Sequence, residues 1–259
     1  MIAGTFASWT RLGGAVTGTA ITEAASALTA RVDAVDPSLL FVVATDEQFN
    51  SDAKLHPPFS ICVADESPWA DDPGATTQNG SITIPGNRLM AENLVTFVNG
   101  RGFDLGKVEE MTLHPTILPI GPRAAGRSPS PVITLLVNPH VTAARPLSRF
   151  VDLGAAIGKF FRTSADAQAG VAVCGVGGSE GDRADALASP FAPAADLFGG
   201  LADASSLDRN TIAMGELTAR AGDTAPAIVN WLIVMAIAGK SPHTELAKTE
   251  SFCAIEFGP

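Results

Sequence analysis

An α/β fold is predicted by three features of this chain. Short apolar runs rich in Val, Ile and Leu alternate with longer stretches whose apolar residues recur at helical spacing. The length, 259 residues, suits one large domain or two tightly merged ones. Apolar residues make up 46% and charged residues 17%, ample material for a core.

The elements follow in order. Residues 2–8 read as a first strand, and 21–33 as a helix with polar Thr22 and acidic Glu23 at its start. Residues 39–45 form a buried-type strand, and 59–64 another. The stretch 66–83, rich in Pro, Gly, Asp and Ser, is expected to be a loop. Residues 87–99 carry Leu89, Met90, Leu94, Val95 and Phe97 at helical spacing, and Gly100 follows as a stop. A second loop spans 121–131. Residues 131–137 are the strongest central-strand candidate, with the proline tolerable at the first position. Residues 148–161 read as a helix, and 170–175 as a strand entering a glycine turn, Gly175-Val176-Gly177-Gly178. Two helices are expected over 190–204 and 211–221, then an apolar, buried helix over 225–238. Residues 252–257 would make a final edge strand.

Several functions are disfavoured by composition. A formal net charge of −10 with no basic stretch argues against nucleic acid, whose phosphates need clustered Lys and Arg. The densest apolar run, 228–238, is interrupted by Asn230 and is too short to cross a bilayer, so no membrane role is expected. The N-terminus lacks the basic start and long apolar stretch of a signal peptide, which points to the cytoplasm. Cys62, Cys174 and Cys253 are odd in number and far apart, so reduced thiols are expected rather than a disulfide framework or zinc site. With no tyrosine in the chain, a mechanism needing a phenol acid or base is excluded.

Two short stretches carry the first functional signal: Gly4-Thr5-Phe6-Ala7-Ser8-Trp9, and Val42-Val43-Ala44-Thr45-Asp46-Glu47-Gln48-Phe49. Further on come Pro58-Phe59-Ser60-Ile61-Cys62-Val63-Ala64-Asp65 and Glu110-Met111-Thr112-Leu113-His114-Pro115. The run 132–138 is followed by Arg149 and Leu153-Gly154. Last are Gly175-Val176-Gly177-Gly178-Ser179-Glu180-Gly181 and Ala225-Pro226-Ala227-Ile228-Val229-Asn230-Trp231-Leu232. In this order the segments resemble the β-subunit of protocatechuate 4,5-dioxygenase and its relatives, the class III extradiol ring-cleavage dioxygenases. The resemblance covers nearly the whole chain. It implies a single domain over 1–259, with a mainly parallel or mixed central sheet and helices on both faces.

The resemblance also implies where the chemistry has gone. The family places histidine iron ligands after Ser8 and after Asp46, where this chain has Trp9 and Glu47. The carboxylate ligand, four residues before Trp231, corresponds to Ala227. The family's acid/base histidine follows the serine of the glycine-rich segment, where Glu180 follows Ser179. His114 keeps a histidine, with Leu113 and Pro115 replacing the neighbouring acid and glycine. A non-haem Fe(II) site needs two imidazoles and a carboxylate on one face of the metal. An indole N–H is only a donor, and alanine has no ligand atom. Trp9 is expected to fill the space left by metal and substrate, because a void forfeits contacts.

The family includes 2-aminophenol 1,6-dioxygenases, built from an iron-carrying subunit and a homologue without the ligands. This chain looks like the second kind: no metal or cofactor of its own, Fe(II) in a homologous catalytic partner, and a hetero-oligomer for aromatic ring cleavage. A duplicated subunit can keep its interface after losing chemistry. The vestigial pocket would be Trp9, Asp46, Glu47, His114, Glu180 and Ala227. Two alternatives stand beside it: an enzyme working from Asp46, Glu47, His114 and Glu180, or a stand-alone aromatic-binding protein.

The remaining polar residues have local readings. His56 and His243 sit beside prolines as loop residues. His140 follows the end of a strand, where open α/β sheets place ligand crevices. Asp46 and Glu47 suit a helix or turn cap, or a cation site. The glycine turn matches neither phosphate-binding fingerprint and is read as a close backbone approach.

Overall fold

Residues 39–44 are buried without interruption, so this strand is covered on both sides, as parallel strands are when helices flank the sheet. In the computed structural model, residues 2–12, 26–45, 57–70, 82–113, 130–138, 142, 145–164, 170–180, 216–217, 225–239, 243–248 and 252–257 are described. Strands β1 (Ile2–Leu12), β2 (Leu39–Thr45), β3 (Phe59–Cys62), β6 (Leu105–Val108), β7 (Val132–Val137), β8 (Val171–Glu180), β9 (His243–Lys248) and β10 (Phe252–Phe257) form one eight-stranded sheet. Its order is β6-β3-β7-β2-β8-β1-β10-β9. Strands β4 (Glu66–Pro68) and β5 (Thr83–Pro85) pair as a separate antiparallel ribbon.

The sheet is mixed. The block β7-β2-β8-β1 is parallel throughout. Strand β3 is antiparallel to β7 and parallel to β6, and β10 is antiparallel to both β1 and β9.

Side chains alternate along each strand and so sort the core into two layers. Leu39, Phe41 and Val43 join the larger cluster, with α2 (Arg88–Asn99), α3 (Leu147–Thr163) and α4 (Ala225–Ala238). Leu40, Val42 and Ala44 join the smaller one, with Leu28 and Val32 of α1 (Ser26–Val35) and with Trp69, Met111 and Leu113. The expected α/β class, with helices on both faces, is borne out. On the α1 side, the Arg31 guanidinium donates to both carboxylate oxygens of Glu256 on β10, at 3.1 and 2.9 Å.

Glycines set the helix spacing on the larger layer. A Cβ on Gly154 would lie 2.3 Å from the Ile233 carbonyl oxygen, and one on Gly158 2.6 Å from that of Ile237. These equal steps show that α3 and α4 run parallel in close contact. Gly175 of β8 lies under α4 in the same way, where a Cβ would meet Val234 at 2.8 Å.

Several expectations are corrected. The first strand reaches Leu12 rather than residue 8, because β8 pairs with it to its end and β10 as far as Thr10. The loop expected over 66–83 contains β4 and leads into β5. Strand β6 was not anticipated. Its Gly106 hides the pattern, and a side chain there would run into Pro57. No turn forms at 175–178: β8 continues to Glu180, and Gly175 serves the approach of α4. Strand β10 is not at the edge, since β9 covers it. Of the helices expected over 190–204 and 211–221, only the helical pair 216–217 lies among the described residues. Among the described residues no helix is long and apolar enough to cross a membrane.

Candidate functional site

The four parallel strands end on one edge of the sheet, the side on which open α/β sheets build ligand crevices. Thr45 pairs with Val137, and Val43 with Gly175, which puts Thr45 level with Gly177. Gly177 pairs with Trp9, and Trp9 pairs on its other side with Cys253. Val137, Thr45, Gly177 and Trp9 therefore form one row across four strands. Trp9 lies two strands from Thr45, about 10 Å by strand spacing. Beyond this row β8 and β1 continue together, ending at Glu180 opposite Leu12.

The helix α4 begins at this same edge. α3 follows β7, which ends here, and leads to the start of β8 at the opposite edge. α4 runs parallel to α3, so its first turn sits near the strand ends. Ala227 is on that turn, 3% exposed and part of the larger apolar cluster.

Three residues later comes Asn230, fully buried in a helix with no other amide, hydroxyl or charged side chain. Its Nδ2 donates to the Thr45 hydroxyl at 3.1 Å and to the Val176 carbonyl at 2.6 Å. The amide thus ties α4 to the end of β2 and to the middle of β8. Its Oδ1 is buried with no hydrogen-bond partner among the described residues. An unmet buried acceptor costs about 1–3 kcal/mol, so two good donor bonds outweigh it only modestly. Asn138, directly after β7, is also buried. Its N–H donates to the Pro58 carbonyl at 3.0 Å, and its carbonyl accepts from the Thr142 hydroxyl at 2.7 Å.

Of the residues picked out from sequence, Trp9 and Glu180 occupy strand positions on this edge and Ala227 lies on the helix beside it. Asp46 and Glu47 lie outside the described residues, although the chain leaves Thr45 at this edge to reach them. His114 also lies outside them. The chain leading to it leaves β6 at the opposite edge, and its neighbour Leu113 bridges to Trp69. His56 and His140 lie outside as well. Thr45 and Asn230 were not singled out; the available signal was a lone amide inside an apolar helix.

The iron site implied by the resemblance does not fit these residues. Position 227 offers a methyl group packed in apolar core, with no ligand atom. At Trp9 the only polar group is an N–H donor. Cys62 and Cys174 are buried and outside any disulfide. Burial pushes the Cys62 thiol above its ordinary range, against smaller downward effects of hydrogen bonds with Ala64 and Ser67.

No family model matches the chain. Over 129 residues it is 30% identical to a 2,3-dihydroxyphenylpropionate/2,3-dihydroxicinnamic acid 1,2-dioxygenase of Mycobacterium sp. (strain MCS). The matched stretch is 49% of this chain and 39% of the relative's length, so it spans well under half of that protein. This partial similarity supports a relationship to the broad extradiol dioxygenase family. The crystal structure of an uncharacterized Escherichia coli K12 protein superposes on 98% of this chain and 100% of its own, with a TM-score of 0.58 and 11% identity. At that identity the likeness is one of fold.

Proposed function

We propose that this chain is an iron-free, non-catalytic subunit of a heteromeric extradiol ring-cleavage dioxygenase. In this reading it pairs with a catalytic homologue in the cytoplasm and supports that partner's Fe(II) site. The observation that carries the reading is Ala227, buried in apolar core where the resemblance expects a carboxylate ligand. The similarity to an extradiol-type enzyme supplies the chemical class. Residues Trp9, Asp46, Glu47, His114, Glu180 and Ala227 are the remodelled counterpart of the partner's pocket. The chain's part is then structural: a retained self-complementary surface holds the homologue in its active form.

Co-expression with a catalytic homologue from the same source tests this. Co-purification, iron per complex and ring cleavage are scored against each chain alone. Iron and activity that follow the partner, yet require this chain, are the expected result. Stoichiometric iron and ring cleavage by this chain alone would sink the reading.

A further inference from the structure

We infer that the hydrogen bonds of Asn230 take over the cross-linking that a metal ion would provide between α4 and the sheet, so that the chain is stable without metal. This rests on the iron-free reading and concerns the same edge of the sheet. The three ligand positions implied by the resemblance fall on β1 at Trp9, just past β2 at Glu47, and on α4 at Ala227. By the resemblance, a metal would tie that helix to β1 and to the chain leaving β2. The Asn230 side chain ties that helix to β2 through Thr45 and to β8 through Val176, and β8 is the strand between β2 and β1.

The match in position is close. Thr45 is in the same row as Trp9, and Asn230 is three residues, about 4.5 Å along the axis, from Ala227. The clasp is selective chemistry rather than filler. Leucine would suit this apolar helix without burying an Oδ1 that has no partner among the described residues, and the two donated bonds offset that cost. Around the clasp, α4 meets the sheet largely through buried apolar side chains.

The test is amide hydrogen exchange on the full chain, with and without a chelator, for wild type, Thr45→Val, Thr45→Ser and Asn230→Leu. Thr45→Val removes one bond with little change of shape and keeps the measurement open if Asn230→Leu does not fold. The expected result is exchange at least several-fold faster at the end of β2 and in the first turns of α4 for Thr45→Val and Asn230→Leu. Protection in β3 and β6 should be unchanged, and Thr45→Ser should keep the wild-type pattern. Chelator should leave the wild type as it was. Unchanged local exchange in both Thr45→Val and Asn230→Leu would overturn the clasp. A chelator-induced loss of protection that added Fe(II) reverses would overturn the metal-free state, and with it the iron-free reading, whatever the variants show.

Discussion

Gly154 of α3 lies against the backbone of Ile233 in α4 so closely that a single added carbon would sit 2.3 Å from the Ile233 carbonyl oxygen. Helix propensity favours alanine over glycine by roughly 1 kcal/mol. The carbonyl belongs to a buried helix and cannot swing aside. Overpacking of this kind costs roughly 1–3 kcal/mol and should win. Gly154→Ala is expected to lower the stability measured by denaturant unfolding, despite improving an isolated helix.

Ala227→Glu restores the carboxylate that the resemblance expects. Its side chain would enter the apolar cluster without a cation to meet it. An uncompensated buried charge costs about 3–5 kcal/mol, so a sharp fall in the unfolding midpoint is expected. Metal analysis of the purified variant should show no gain in bound iron, since Trp9 still offers no acceptor.

Cys62 gives stability a pH dependence. Below about pH 8.5, the ordinary thiol value, folded and unfolded chains both hold the proton and the group is silent. Above it the unfolded chain releases the proton while the buried thiol, raised by desolvation, keeps it. Stability therefore falls as pH rises from there towards the folded value. Denaturant melts from pH 8 to 10 should show this slope in wild type and a shallower one in Cys62→Ala. Equal slopes would mean that burial does not hold the thiol neutral.

Asn99 ends α2 and pairs with β6 as a strand would. Its Nδ2 donates to the Leu105 carbonyl at 3.2 Å, and its Oδ1 accepts from the Leu105 N–H at 2.8 Å. Two hydrogen bonds at about 1 kcal/mol each make Asn99→Ala destabilising by roughly 1–2 kcal/mol. Thermal unfolding should read this as a fall of a few degrees.

Much of the central fold was legible because its signals are local. The run 39–45 is apolar at every position but the last, and the strand has those limits. The run 225–238 is apolar on all sides and makes a buried helix of that length. At 87–99 the helical spacing and a polar cap agree, with the Met90 N–H donating to Asn87 Oδ1 at 3.1 Å. Strand β6 was hidden because four residues that include a glycine carry too little pattern.

The candidate site was harder to read. The resemblance expects histidines where the sequence has Trp9 and Glu47, but nothing local shows which side chains join α4 to the sheet. Asn230 looked like a flaw in an apolar run, and its partner Thr45 is 185 residues away.

By itself, then, the sequence determined the α/β class, the central strand β2 and helix α4, because burial and periodicity are written into consecutive residues. Only the tertiary structure decided that the glycines of β8 continue a strand, that β9 covers β10, and that a buried amide joins α4 to both β2 and β8. Each of those depends on which distant segments pack together, and the chain encodes that through close approach and hydrogen-bond satisfaction rather than through any local pattern.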